Sequence, residues 1–200
     1  MATKRRQQAA ETEAALKEAA RRVFAERGYL NTKITDITAA AGRATGSFYR
    51  HFAGKEELLE ALLRDLLAAA DDEVVERAGH EADFSKIEAI RWHVEAGWRF
   101  YKAHLPEMVA VKQAAMLDPE LGRRLQRIMA ADDADLIGHL DALPEPKPDP
   151  LLQISAFNAL LDGFAYTWLV VNPADGRTIS DDEAIDLLTN LLHHGLAGKP

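Results

Sequence analysis

At 200 residues, with 48% hydrophobic and 28% charged side chains, the chain has the make-up of a folded globular protein, which excludes wholesale disorder. It has no cysteine, which excludes disulfides, thiolate nucleophiles and cysteine-ligated zinc. The net charge of −8 argues against a nucleic-acid partner as a single number, but residues 1–56 carry eleven Lys and Arg against six acids, and the rest carries thirteen against twenty-six. A positive head on an acidic body suits a module that meets phosphate while its companion domain stays away from it. No uninterrupted apolar run reaches about 18 residues. The basic N-terminus also lacks the apolar core of a secretory signal, so a soluble cytoplasmic protein with no membrane partner is expected.

Helical signals run the length of the chain and predict an all-α fold of about nine helices. The first covers residues 9–27, where Leu16, Ala19, Ala20, Val23 and Phe24 form one apolar stripe and Gly28 stands as a left-handed stop. Two short helices follow, over residues 34–41 and 45–52, joined at Gly42. A long one runs from Lys55 to about Ala78. Ser85 and Glu88 have capping-box spacing and open the fifth helix, whose stripe is Ile87, Ile90, Val94, Trp98, Tyr101 and Leu105. Pro106 breaks it. A sixth helix covers residues 107–117. Asp118-Pro119 begins a seventh, to about Ala142, and a proline-rich connector spans Pro144–Pro148. Asp149-Pro150 begins the eighth, to about Val171. Ser180 and Glu183 form a second capping box for the ninth. The first three helices form a unit too small to be stable alone, so the fourth is expected to weld it to the rest.

The informative stretch is Gly28–Leu58. Ile34, Ile37 and Ala41 face inward from one short helix, and Phe48 and Phe52 from the next, with Gly42 at the tight turn. This is helix-turn-helix spacing, with the second helix sized for a major groove. Its outward face carries Thr45, Ser47, Tyr49, Arg50 and His51, groups that hydrogen-bond phosphates and base edges. Gly46 lets backbone N–H groups approach a phosphate, and Lys55 beside a helix N-terminus is a candidate phosphate clamp.

Gly28-Tyr29, Thr32, Ile34, Ile37, Ala41-Gly42, Gly46-Ser47-Phe48-Tyr49-Arg50-His51-Phe52 and Lys55-Glu56-Glu57-Leu58 resemble, at matching spacings, the signature of the TetR family of transcriptional regulators. The resemblance covers about the first 60 residues. It implies a helix-turn-helix DNA-binding domain over residues 1–54, and a ligand-sensing and dimerisation domain over residues 55–200. It also implies that Ser47, Tyr49 and His51 contact DNA, that Thr45 and Arg50 face the groove, and that Lys55 meets a phosphate. Some positions depart from the family pattern. Lys33 replaces the usual cap of the second helix; with Thr32 taking that cap, Lys33 is free for phosphate. Thr38 replaces a usual Ala. Arg43 replaces a usual Val in the turn and is expected to add a DNA contact. Gly54 leaves the fourth helix without a side-chain cap.

In the C-terminal part, Trp92, Trp98 and Tyr101 lie on the fifth helix, and Phe157, Phe164 and Trp168 on the eighth. With His93, His104, Met108 and Met116 they are candidate walls of a small-molecule site, the alternative being ordinary core. The acidic balance favours a neutral or cationic ligand. His93 and His104 lack carboxylates at ligand spacing, so neither a metal site nor a cofactor is expected. Ser155, Ala159 and Gly163 recur along the eighth helix, and Leu187, Leu188, Leu191 and Leu192 along the ninth. The family resemblance implies that these two helices build a homodimer interface, with intrachain packing as the other reading. The function expected is that of a repressor, binding palindromic double-stranded operator DNA as a dimer and released by a small molecule. Control by a protein partner is the alternative. No enzyme motif is present: there is no HExxH, nucleophile elbow or P-loop.

Overall fold

The computed structural model describes residues 2–76, 79–143, 149–173 and 175–196, and these contain nine α-helices and no strand. They are α1 (Ala2–Asn31), α2 (Ile34–Ala40), α3 (Thr45–Phe48), α4 (Lys55–Glu76), α5 (Ile87–Ala103), α6 (Leu105–Leu117), α7 (Pro119–Ile137), α8 (Pro150–Tyr166) and α9 (Asp181–Leu196). A 3-10 turn, Gly138–Leu140, follows α7, and a wider π-type turn, Thr167–Val171, follows α8. The predicted connector Pro144–Pro148 lies outside the described residues. Contacts divide the chain into one unit of residues 1–67 and 105–128, and a second of residues 68–104 and 129–200. This differs from the division expected at residue 54.

In the first unit, the stripe Leu16, Ala19, Ala20, Val23 and Phe24 is buried, as its spacing requires. α1 starts seven residues earlier than predicted, at Ala2. Its regular winding is interrupted at Gly28, whose φ of 73° is open to glycine and strained for other residues. α6 packs on α1 and supplies polar partners that a three-helix head lacks. Gln113 Oε1 accepts from Tyr29 N at 3.0 Å. The buried Glu107 carboxylate meets Arg21 Nε at 3.2 Å. Asp118 caps α7 as predicted, accepting from Glu120 N at 2.9 Å and Leu121 N at 3.2 Å.

In the second unit, α5 packs against α8 and α9. A Cβ at Gly97 would overlap Leu161 Cδ2, so a larger residue there requires the Leu161 side chain to shift. The predicted caps of α8 and α9 form. Asp149 accepts from Leu151 N at 2.8 Å, and Ser180 Oγ from Glu183 N at 3.2 Å while Glu183 Oε2 accepts from Ser180 N at 2.9 Å. The capping box expected at Ser85 does not form. Ser85 donates instead to Asp83, from N at 2.9 Å and from Oγ at 2.6 Å, and α5 starts after Lys86 with Ile87 exposed. α7 and α8 are each shorter than predicted and end in the two irregular turns.

By length and composition, the 22 residues Pro150–Val171 would suffice to cross a membrane, although they hold no unbroken apolar run of that length. Only 17% of the relevant window is buried. Ser155, Ala156, Ala159 and Gly163 stand exposed, as do Leu152, Leu187 and Leu191. Small residues with flanking leucines also suit a helix that packs on another helix.

Trp98 is fully buried, and its indole N–H donates to Asp181 Oδ1 at 2.9 Å. Lys102, with an ammonium 2.8 Å away, and the indole hold the Asp181 carboxyl below its usual range. The pair therefore supports stability while Asp181 is ionised and loses that support as pH falls through its lowered pKa. Asp181→Ala leaves the indole N–H unpaired and is expected to cost about 1–3 kcal/mol in urea unfolding. Asp181→Asn, which keeps an acceptor, recovers most of this.

Candidate nucleic-acid interface

The turn between α2 and α3 closes through backbone hydrogen bonds, Ala41 N to Ile37 O at 2.9 Å and Arg43 N to Thr38 O at 2.9 Å, with Gly42 at φ 63°. Asp36 finishes the start of α2 by accepting from Lys33 N at 2.9 Å. Thr32 does not take that cap, because its hydroxyl donates back to Gly28 O at 2.8 Å. Thr38, where the resemblance leads one to expect Ala, is buried, and its hydroxyl lies 3.4 Å from that of Thr45, tying α2 to α3. α3 is a single turn, and the chain continues to Phe52 through turns rather than as the two-turn helix predicted. Phe48 and Phe52 hold it from beneath, both buried, with ring centroids 5.6 Å apart.

The candidate DNA residues divide by exposure. Lys33, Arg43, Thr45, Gly46, Tyr49 and Arg50 are exposed, with Tyr49 at 58%. Ser47 is not on the outward face. It is 7% exposed, and its hydroxyl accepts from Arg50 Nη2 at 2.9 Å, so it aims the guanidinium rather than standing free. His51 is half-buried, with Nδ1 3.9 Å from Glu13 Oε2. Lys55 is an internal strut. Its ammonium donates to Tyr29 O at 2.7 Å and Thr32 O at 2.9 Å, and lies 4.1 Å from the centre of the Tyr29 ring. Burial pushes its pKa down. Two of its three donors already close the loop before α2, where the resemblance implies a phosphate contact.

Beside α3 lies an open concavity of about 500 Å³, lined by Arg5, Gln8, Ala9, Glu11, Thr12, Arg43, Arg50 and His51. Arg5 reaches it because α1 extends back to Ala2. The basic run Lys4-Arg5-Arg6 is the sequence signal for this. Three guanidiniums and an imidazole outnumber the single Glu11 carboxylate in this concave surface, a balance that suits phosphate oxygens.

Residues 16–62 match the sequence pattern of the bacterial regulatory proteins of the tetR family. Over that segment the chain carries the TetR-type helix-turn-helix pattern. It is 50% identical over 52 residues to the HTH-type transcriptional repressor KstR2 of Mycobacterium tuberculosis, 26% of each chain. It is 35% identical over 91 residues to the HTH-type transcriptional regulator TtgR of Pseudomonas putida, 46% of this chain and 43% of the other. The chain thus matches between a quarter and under half of the length of these curated relatives. Beyond the head, the likeness is one of fold. A putative TetR-family transcriptional regulator from Rhodococcus sp. superposes with a TM-score of 0.74 at 20% identity, over 93% of this chain and 99% of that one. The transcriptional regulator FadR from Bacillus subtilis, in complex with stearoyl-CoA, does so with a TM-score of 0.69 at 19% identity, over 92% and 97%.

The C-terminal candidates do not form one group. Trp92, His93 and Phe157 belong to a ring cluster completed by Phe84, His80 and His139, in which Phe84 stacks on Phe157 at 5.7 Å and meets His93 edge-on at 4.9 Å. Trp98, Phe164 and Trp168 form a second, with centroids 6.1 and 5.9 Å apart. His104 packs on Phe100 rather than joining His93. Tyr101 is buried with its hydroxyl unpaired among the described residues, as are Gln153 Oε1 and Thr189 Oγ1. Met108 and Met116 lie on α6, in the first unit. Met108 is buried, and Met116, 86% exposed, is a wall of nothing described.

The two roles of lysine and arginine separate in a stability measurement. Lys55→Met removes two charge-assisted hydrogen bonds and is expected to destabilise the fold by about 2 kcal/mol in urea unfolding. Arg43→Ala is expected to stay within about 0.5 kcal/mol of the parent.

Proposed function

We propose that the protein is a transcriptional repressor that binds palindromic double-stranded DNA as a homodimer and is released by a small molecule bound in its second unit. The observation that carries DNA binding is the exposure of Arg43, Thr45, Tyr49 and Arg50 around α3, beside a concavity holding Arg5. Arg and Thr side chains with a phenol supply phosphate contacts and base-edge readout at once. Lys33 adds a phosphate contact from the start of α2. Gly46 supports close backbone approach, since nothing within the chain lies within 4 Å of where its Cβ would stand. Ser47, Lys55 and His51 act by positioning. A regulator working on DNA places the protein in the cytoplasm.

Dimerisation through α8 and α9 is supported by their exposed Ser155, Ala159, Gly163, Leu152, Leu187 and Leu191. A two-fold dimer brings two α3 turns to successive major grooves about 34 Å apart. The ligand reading is supported by buried polar atoms of Tyr101, Gln153 and Thr189, which have no described partner. A bound molecule that supplies those hydrogen bonds favours the conformation it fits, and lowers DNA affinity by its preference for that state. The stearoyl-CoA complex of Bacillus subtilis FadR makes long-chain acyl thioesters one arm of a ligand screen.

Selection from a random duplex pool tests this directly. The expected winner is an inverted repeat with half-sites centred about 10 base pairs apart. Enrichment of no sequence at moderate salt overturns the reading. On the selected site, Gly46→Ala is expected to weaken binding at least tenfold without lowering stability, since Ala is the better helix former. Leu191→Arg is expected to yield monomers in sedimentation and lose DNA affinity. A melting shift with a small molecule but none with cell proteins separates ligand control from control by a protein partner.

A further inference from the structure

His80, His93 and His139 come from three separate elements: the segment before α5, α5 itself and the 3-10 turn after α7. Their ligand nitrogens all lie within 4.8 Å of one another. His80 Nε2 and His139 Nε2 are 3.1 Å apart, close to the spacing of about 3.3 Å that two imidazoles adopt on one tetrahedral ion with bonds of about 2.0–2.1 Å. We propose that these three histidines bind one divalent transition-metal ion of the zinc type, leaving a fourth position open toward solvent.

The orientation of His93 supports this. Its Nδ1 lies 2.8 Å from Ala89 O. A carbonyl only accepts, so Nδ1 carries the proton and Nε2 presents its lone pair. A ring whose second nitrogen is tied to a backbone carbonyl is the arrangement that orients histidine on metals. Phe84 packs against both His93 and His139, at 4.9 and 5.2 Å, and Trp92 against His80 at 4.9 Å. They form an apolar shell that limits competition from water. His80 is exposed, giving the ion an entry path. An all-imidazole set selects zinc, nickel, cobalt or copper over magnesium and calcium, which take oxygen ligands. The residues escaped sequence reasoning because they are 13 and 46 positions apart, with no motif spacing. The site stands independently of the DNA-binding reading.

The test uses the untagged full chain, stripped with chelator and titrated with cobalt(II) and zinc(II). The expected results are one ion per chain, a ligand-field spectrum of low-coordinate cobalt that zinc abolishes, and a raised melting temperature. His80→Ala and His139→Ala should each weaken binding at least tenfold and lose the spectrum. His104→Ala and the double variant His193→Ala, His194→Ala should leave both intact. His80 is exposed, so its variant keeps the test valid should His93→Ala fail to fold. Absence of stoichiometric binding in the parent overturns the proposal, leaving a ring stack held by the His80–His139 hydrogen bond. Binding that survives loss of His80 and His139 together, or that follows His193 and His194, overturns it equally.

Discussion

The head of this protein depends on the burial of Phe48 and Phe52. α3 is one turn long, and a helix of that length has no stability of its own, because nucleation costs more than one turn of hydrogen bonds returns. What fixes it is the pair of aromatic rings beneath it, with Ile37 buried on α2 and the α1 stripe from Leu16 to Phe24. Once those rings are anchored, period and chirality leave Thr45, Tyr49 and Arg50 no direction but outward. The functional face is therefore a consequence of the core rather than an addition to it.

Charge is then divided between two tasks. Lys55 spends its ammonium inside the unit, drawing together the carbonyls of Tyr29 and Thr32 at the chain's exit from α1. Ser47 gives up exposure to steer Arg50. Arg5, Arg43 and Arg50 stay available at the concave surface. Arginine suits that surface, since its planar fork matches phosphate oxygens and does not deprotonate. Lysine suits the strut, where a compact charge with three donors closes on two carbonyls. A basic head in an acidic chain is thus not uniformly an exposed cationic surface, and position rather than charge decides which residue reaches solvent.

Much of this was legible in the sequence. Apolar spacing gave the number and type of helices, and Asp118, Asp149 and Ser180 announced their caps because a short polar side chain before Pro or ahead of Glu has few other uses. Where the sequence misled, a competing partner intervened, near in sequence or far from it. Asp83 captured Ser85 before it could cap α5. Lys55 found carbonyls more than twenty residues away. The place of α6 in the first unit, through Gln113 and Glu107, has no local signature. The C-terminal candidates were the least legible. Aromatic residues on one helix face look alike whether they form one pocket or two separate stacks, and His80 and His139 join His93 only through the fold.

The central claim is that the outward side of α3 reads a duplex from its major groove, and methylation interference on a selected duplex tests it most directly. Methylation of guanine N7 at positions in both half-sites, which blocks the major-groove edge, should abolish binding, whereas methylation of adenine N3 between them, in the minor groove, should leave it intact. Binding indifferent to N7 methylation at every position would contradict the account.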